Sequence, residues 1–496
     1  MMHRDRSLRR VRAFLAGAAL LATLAGCAVS RPDPPALPFT LPVGFMAGAP
    51  VPQRIAQDDY WWRDFADPVL DQFVEDALLK NPALAQAVAR TRIAEAQTRL
   101  QRGERLPQVG LGAGVTRQRQ NLGSLPGLGA AAGDLGEAGG LGGAADDVRL
   151  YNTNSNAALD VSWELDLWGR LSALSSSAQA SYLASEAQLR GLRQSISAQV
   201  VQLYFDIVHA RAQVDLSDRT VESLQEMARQ INNRVAVGIA SPTDGLLADA
   251  NLESARAGLE QRREALARAL RQLEVLLGDY PAGQLRTAEV LPEVPQQPAV
   301  GIPAELLVRR PDVQAAELSL LAAGYELGAA QRSFLPSLSL GASLGFAGTT
   351  LSDLFRSGNV IWSIAGNLLQ PIFQGGRLVA QVDIAGGQRD ETLAAYAETA
   401  LTALSEVETA LAVETVLLQR EQALEASAES AEQAVRESLN RYLQGIDPFL
   451  NVLESQQRAL DGRSAHITAH LARLENRIAL HLALGGGFEN EGRTPP

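Results

Sequence analysis

Lysine is almost missing from this 496-residue sequence: Lys80 is the single one, and the rest of the 44 basic residues are arginine. That excludes a Gly-x-x-x-x-Gly-Lys phosphate loop, and a Schiff-base lysine anywhere but position 80. Cysteine is equally scarce. Cys27 stands alone, so no disulfide framework can form within one chain. Histidine occurs only at 3, 209, 466, 470 and 481. His466 and His470 have the i, i+4 spacing of a metal pair, but no glutamate at 467, cysteine or third ligand accompanies them, so they read as helix-surface histidines and no metal is expected. Glycine clusters such as 139–143 lack a strand-turn-helix context, no serine nucleophile elbow is expected, and nothing asks for catalysis or a cofactor. Long hydrophobic runs are also missing. After residue 26 no stretch offers the ~18 to 20 apolar residues of a membrane-spanning helix, so a crossing of a bilayer would have to be a β-barrel. The formal charge is −12, and residues 1–26 carry four net positive charges, which leaves −16 without them. So acidic a chain does not suit nucleic acid, whose phosphates demand clustered cations.

What is present begins with an address. Arginines at 4, 6, 9, 10 and 12 precede an apolar run from Ala13 to Gly26, broken only by Thr23, which is the layout of a secretory signal peptide over 1–26. The run ends in Leu24-Ala25-Gly26-Cys27, which resembles the bacterial lipobox. The resemblance implies lipidation of Cys27, and Ala28 after it implies passage to the outer membrane. Residues 27–58, with the proline-rich stretch from Arg31 to Pro38, then read as a lipidated tether.

The chain also repeats itself once. Pro82 and Pro107 bracket an Ala-rich helical segment, as do Pro311 and Pro336, at an offset of 229. Gly169-Arg170-Leu171 recurs as Gly376-Arg377-Leu378, and Val237-Gly238-Ile239 is echoed by Gln444-Gly445-Ile446, both at an offset of 207. A Gly/Ala/Leu-rich insert, about 122–145, accounts for the difference. Each half therefore reads helix, strand, loop, strand, long helix, turn, helix. The expected organisation is a first repeat over 59–277, a linker over 278–310, a second repeat over 311–484 and a tail over 485–496.

Strand periodicity is clean. Leu159, Val161, Trp163, Leu165 and Leu167 alternate with Asp160, Ser162, Glu164 and Asp166, and Leu338 to Phe346 alternate with Ser and Gly. One greasy face and one small or acidic face suit lipid on one side and water on the other. Four such strands cannot close a water-filled barrel, so several chains must contribute. From Arg170 to Gly238, and again from Arg377 to Gly445, 68 residues pass without proline, which allows roughly 100 Å of helix. Mixed three and four spacings such as Val200, Leu203, Tyr204, Ile207 and Val208 favour long coiled packing. Gly238 and Gly445 would end these helices in the left-handed conformation, and Pro242 and Pro448 would open the next ones.

Taken together, Trp61-Trp62, Asn81-Pro82, Ser162-Trp163-Glu164-Leu165-Asp166-Leu167-Trp168-Gly169-Arg170, Arg309-Arg310-Pro311-Asp312, Gln370-Pro371-Ile372-Phe373 and Gly375-Gly376-Arg377 resemble the TolC-like outer membrane factor family, lipoprotein branch of the OprM and NodT type. The resemblance runs from about Asp59 to Leu484. It implies an α+β membrane protein: a homotrimer whose protomers each give four strands to a 12-stranded β-barrel, continued by a periplasmic α-helical barrel with a mixed equatorial domain. The loops from Gln118 to Leu150 and from Ala347 to Asn359 would face outside the cell.

The function implied is an exit duct of a tripartite efflux system of the resistance-nodulation-division (RND) type, with a periplasmic adaptor, an inner-membrane pump and outer-membrane lipid as partners, and no nucleic acid. A type I protein secretion duct and a structural periplasmic lipoprotein are the alternatives. The resemblance places Thr243, Asp244, Tyr442, Asp447, Asn451 and Glu454 at a closed periplasmic aperture. Asp447 departs from the family's best-known member, which is basic there. Rings of Asp244, Asp447 and Glu454 would make the throat attractive to cations, with Arg441 or Arg234 as counter-charges.

Overall fold

The computed structural model describes residues 38–47, 60–121, 149–350, 352 and 354–486. The signal peptide, Cys27, most of the tether, the Gly/Ala insert and the end of the tail lie outside the described residues. The elements run α1 (Pro68–Lys80), α2 (Pro82–Gly103), β1 (Gln108–Asn121), β2 (Arg149–Leu165), α3 (Arg170–Ala236), α4 (Pro242–Leu277), α5 (Pro303–Arg309), α6 (Pro311–Arg332), β3 (Ser337–Gly348), β4 (Val360–Leu369), α7 (Arg377–Leu443) and α8 (Phe449–Ala483). Among them the duplication is visible in lengths. Helices α2 and α6 both have 22 residues, and α3 and α7 both have 67. The linker supplies the short helix α5 and otherwise non-regular backbone.

One compact unit holds Glu95–Gln179 and Leu321–Asp390, so it takes a piece from each repeat. Its sheet has the order β1-β2-β3-β4, every neighbour antiparallel. Register joins Leu111, Leu159, Leu344 and Trp362 in one row, and Val109, Val161, Ala342 and Ile364 in the next. Alternation puts these on one face, and Leu111, Trp362 and Ile364 are more than 70% exposed there. On the other face Gly110, Asp160 and Ser343 share a row with Ser363. Strands of 10 to 17 residues are long enough for the ~9 to 11 a tilted strand needs to cross a bilayer. Among the described residues the outer edges of β1 and β4 lack partners in the protomer. In a membrane their amides must be satisfied, so further copies of the sheet have to close it. The first hairpin also runs beyond the expected loop boundaries, to the pair Asn121 and Arg149. The segment Thr116 to Asn121 has no apolar alternation to reveal it, but ladder hydrogen bonds use only backbone atoms.

The Trp-Glu-Leu-Asp-Leu-Trp-Gly-Arg motif is a strand-to-helix junction. Asp166 caps α3, accepting from Leu171 N at 2.9 Å and Ser172 N at 2.7 Å. Glu164 takes Arg170 at 2.6 Å, and Trp168 Nε1 donates to Pro336 O at 2.7 Å. Gly169, at φ +76°, makes the turn between them.

The other unit holds Pro34–Ala94, Ala180–Leu320 and Glu391–Pro496. Trp61, Trp62 and Phe65 bury against Tyr204 and Phe205 of α3, Leu273 and Leu277 of α4 and Leu474 and Ile478 of α8. Tyr204 donates its hydroxyl to Asp67 and accepts from Ala288 N at 2.9 Å, tying the start of α1 to the linker. Asn81 accepts from Ala83 N at 2.8 Å and donates to Leu276 O at 2.7 Å, which orients the entry to α2. The Arg-Arg-Pro-Asp motif is equally local in purpose: Arg310, buried, is held by Asp312 at 2.7 Å, Glu406 at 2.5 Å and Ala483 O at 3.1 Å.

Candidate functional site

The two helix-helix turns have one backbone and different side chains. Gly238 at φ +73° and Gly445 at φ +75° end α3 and α7. In each, the glycine N–H bonds to the carbonyl three residues back, Val235 at 3.0 Å or Tyr442 at 2.9 Å. The next N–H reaches the carbonyl five back, Arg234 at 2.8 Å or Arg441 at 2.9 Å. This is the helix-terminating pattern that satisfies the last free carbonyls. A side chain at either glycine would meet nothing within 4 Å, so only the left-handed φ demands glycine. Ser241 caps α4 through Thr243 N at 3.2 Å, and Pro448 occupies the cap position of α8 without a side-chain bond.

At equivalent positions the repeats differ in charge and polarity: Val235 matches Tyr442, Ala240 matches Asp447, Asp244 matches Asn451 and Leu247 matches Glu454. Among the described residues of the two tips, one cross-pair sets a hydroxyl donor against an acid. Tyr442 donates its hydroxyl to Asp244 at 3.2 Å. Its ring, 7% exposed, lies 5.2 Å from the Phe449 ring in a cluster with Ile231, Leu252 and Val452. Burial, then the Asp244 charge, pushes the Tyr442 phenol above its ordinary value, so it remains a hydrogen donor. The Arg234 guanidinium, with no acid at position 240, lies 5.8 Å from the centre of the Tyr442 ring.

The remaining acids sort differently from a uniform throat. Asp447 grips Arg441 in its own turn, at 2.6 and 3.2 Å. That hydrogen-bonded partner holds the Asp447 carboxyl below the usual range and raises the Arg441 value. Arg441, one of the two expected counter-charges, thus neutralises this acid locally. Glu454 is exposed and has Arg458 at 3.4 Å. Thr243 and Asn451 are exposed at the first turns of α4 and α8, and Asp244 is half-buried. Exposed apolar side chains rim both tips: Val237, Ile239, Leu246, Ile446 and Leu450.

Two sequence readings require correction. His470 is not a free surface histidine: its Nδ1 lies 2.5 Å from Glu421 and its Nε2 2.9 Å from Pro292 O. Arg473 reaches the same carboxylate at 2.5 Å, and Arg477 holds Glu414 at 2.8 Å. Burial opposes ionisation of Glu421, but the bonds from Arg473 and His470 outweigh it and hold its carboxyl below the ordinary range. Residues 49 positions apart or more make this network, so only the i, i+4 and i, i+3 spacings on α8 hinted at it. Gly341-Ala342-Ser343-Leu344-Gly345 does spell the Gly-x-Ser-x-Gly pattern. It lies in the middle of β3 rather than at a strand-to-helix turn, so Ser343 is a sheet residue.

Known proteins share this fold. The chain is 34% identical to outer membrane protein OprJ of Pseudomonas aeruginosa, over 97% of each sequence. It is 30% identical to the toluene efflux pump outer membrane protein TtgF of Pseudomonas putida, over 96% of this chain and 97% of that protein. The solved outer-membrane channel OprN superposes with a TM-score of 0.81 at 28% identity, covering 93% of this chain and 99% of that one. Four strands per protomer are a third of the twelve that three copies close, which supplies the missing sheet edges of a channel like OprN. The family model described as outer membrane efflux protein matches residues 73–279 and 302–486, one segment in each repeat, and the chain belongs to that family.

Proposed function

We propose that this channel is the exit duct of an RND-type multidrug efflux system, held to the outer membrane by lipid on Cys27 as well as by its barrel. The observation that carries the reading is the pair of helix tips: two equivalent turns tied to one another by a single asymmetric bond, Tyr442 to Asp244. A conduit between a pump and the outside must stay shut when no pump is engaged. A tie between the tips, with a buried ring beneath it, does this while leaving the backbone unstrained. Opening then separates the α7–α8 tip from the α3–α4 tip. Thr243, Asp244, Tyr442, Asp447, Asn451 and Glu454 line or tie that aperture, and Gly238 and Gly445 shape the turns that carry them.

The exposed apolar rim of Val237, Ile239, Leu246, Ile446 and Leu450 supports a helical partner, the periplasmic adaptor, at the same tips. The name of TtgF, a toluene efflux protein, supports small apolar cargo over secreted protein. Selection of cargo falls to the pump. Complementation tests the reading. In a host lacking its own exit duct, the chain with its cognate adaptor and pump should restore resistance to apolar antibiotics. Restored protein secretion without restored resistance would refute it. The Cys27→Ser variant should lose lipid labelling and still assemble trimers. Loss of assembly would show the anchor to be part of the fold.

A further inference from the structure

The membrane-facing side of the sheet ends in a basic pair. From the row of Leu165, Leu338 and Leu368 to the row of Ser155 and Val115, β2 advances ten residues. At ~3.3 Å per residue and a tilt near ~40°, that is about 25 Å along the membrane normal, the height of the apolar band of outer-membrane barrels. Arg117, opposite Thr153, and Arg119, opposite Tyr151, continue the same face one and two rows farther, at the end remote from the helix junctions. Both are exposed, and the Arg117 guanidinium lies 5.3 Å from the centre of the Tyr151 ring. The opposite, water-lining face carries uncharged Thr116, Gln118, Asn152 and Asn154 at this level, so the cations belong to the lipid side. Among the described residues neither arginine has a carboxylate partner, whereas Arg99, Arg170, Arg219, Arg310, Arg441 and Arg473 each do.

Guanidinium at headgroup depth is paired by phosphate, which it grips bidentately, and an aromatic ring at the same level anchors the interface. We propose that Arg117 and Arg119, with Tyr151, form a binding site for a phosphorylated lipid headgroup in the outer leaflet, one site per protomer. The site rests on the outer-membrane reading of the sheet, which is tested separately by recovery of the wild-type chain in the outer-membrane fraction. Charge complementarity selects the occupant: two cations with no carboxylate partner among the described residues stand directly above an apolar band that already faces acyl chains.

The test uses the purified full-length trimer in detergent, titrated with a bis-phosphorylated diglucosamine lipid, its dephosphorylated counterpart and inorganic phosphate, with bound lipid counted by native mass spectrometry. The phosphorylated lipid should bind and survive activation. The dephosphorylated lipid should bind far more weakly, and phosphate alone should not bind. With each arginine near a membrane surface contributing its usual share, Arg117→Gln with Arg119→Gln should weaken binding roughly 30-fold. Arg117→Lys with Arg119→Lys keeps the charge without the bidentate grip and should weaken binding less than the glutamine pair does. Equal binding of the two lipids by the wild-type trimer overturns the proposal without any variant. So does unchanged affinity in the double glutamine variant, or binding of free phosphate as tight as that of the lipid.

Discussion

Replacing Tyr442 with phenylalanine removes one oxygen from the channel's tips and leaves the ring in place. The ring is 7% exposed against Phe449, so its packing survives and the variant isolates the bond to Asp244. A hydrogen bond to an ionised acceptor typically contributes ~1.5 to 3 kcal/mol. At 3.2 Å, with Asp244 only half-buried and still solvated, the bond falls below that range, to about 1 kcal/mol per protomer. Independent opening of one protomer would then be favoured about five-fold, and concerted opening of three about 150-fold. The open fraction of single trimers in planar bilayers at neutral pH reads this directly. A rise near five-fold or near 150-fold separates the two modes. Asp244→Asn in the Tyr442→Phe background should add almost nothing, because the partners share one interaction. An unchanged open fraction, or full additivity of the two changes, would refute the tie. The tie also has a pH signature. The folded phenol's value is raised above its ordinary 10.0, so its contribution is fully present below pH 10 and is lost as pH rises through the raised value. The open fraction should therefore stay flat from pH 6 to 9.

The Arg441 and Asp447 pair predicts an asymmetric response in ion selectivity. Arg441→Gln frees a carboxylate in each protomer and should shift the reversal potential in a salt gradient toward cations, while Asp447→Asn frees a guanidinium and should shift it toward anions. The pair should persist at mild acidity, because the carboxyl is depressed: it is intact above the ordinary carboxylate value and dissolves only as pH falls through the lowered one. Gly445→Ala should destabilise the tip by about 1 to 2 kcal/mol through its φ of +75° alone, with Asn tolerated better, as hydrogen exchange in the α7–α8 turn would report. Glu421→Gln leaves Arg473 and His470 without their carboxylate and should cost about 3 kcal/mol, seen as a lower melting temperature of the solubilised trimer; an unchanged melt would mean that the network is stability-neutral.

Legibility followed the range of the interactions. Proline spacing and a break-free run of 68 residues made the helix ends readable, because termini are decided by residues within a turn of them. Alternation in Leu159 to Leu165 revealed β2, since every second side chain faces lipid. The same rule missed the end of β1, where Thr116 to Asn121 leave the apolar band and only the backbone ladder persists. Asp166 and Asn81 act on neighbours and were marked by their motifs, although what they bond became clear only from the fold. His470 was misjudged because its partners, Glu421 and Pro292, are far away in the chain.

By itself the sequence determined the duplication, the strand faces, the long helices and the glycines that turn them, all properties of local period and local φ. Tertiary structure alone decided which side chain of one tip meets which of the other: Tyr442 of one repeat reaches Asp244 of the other, whereas Asp447 meets Arg441 within its own turn. The two turns have matching backbones, so nothing in either one specifies its partner. That choice comes from packing 198 positions of chain back onto itself, which brings a hydroxyl and a carboxylate into contact.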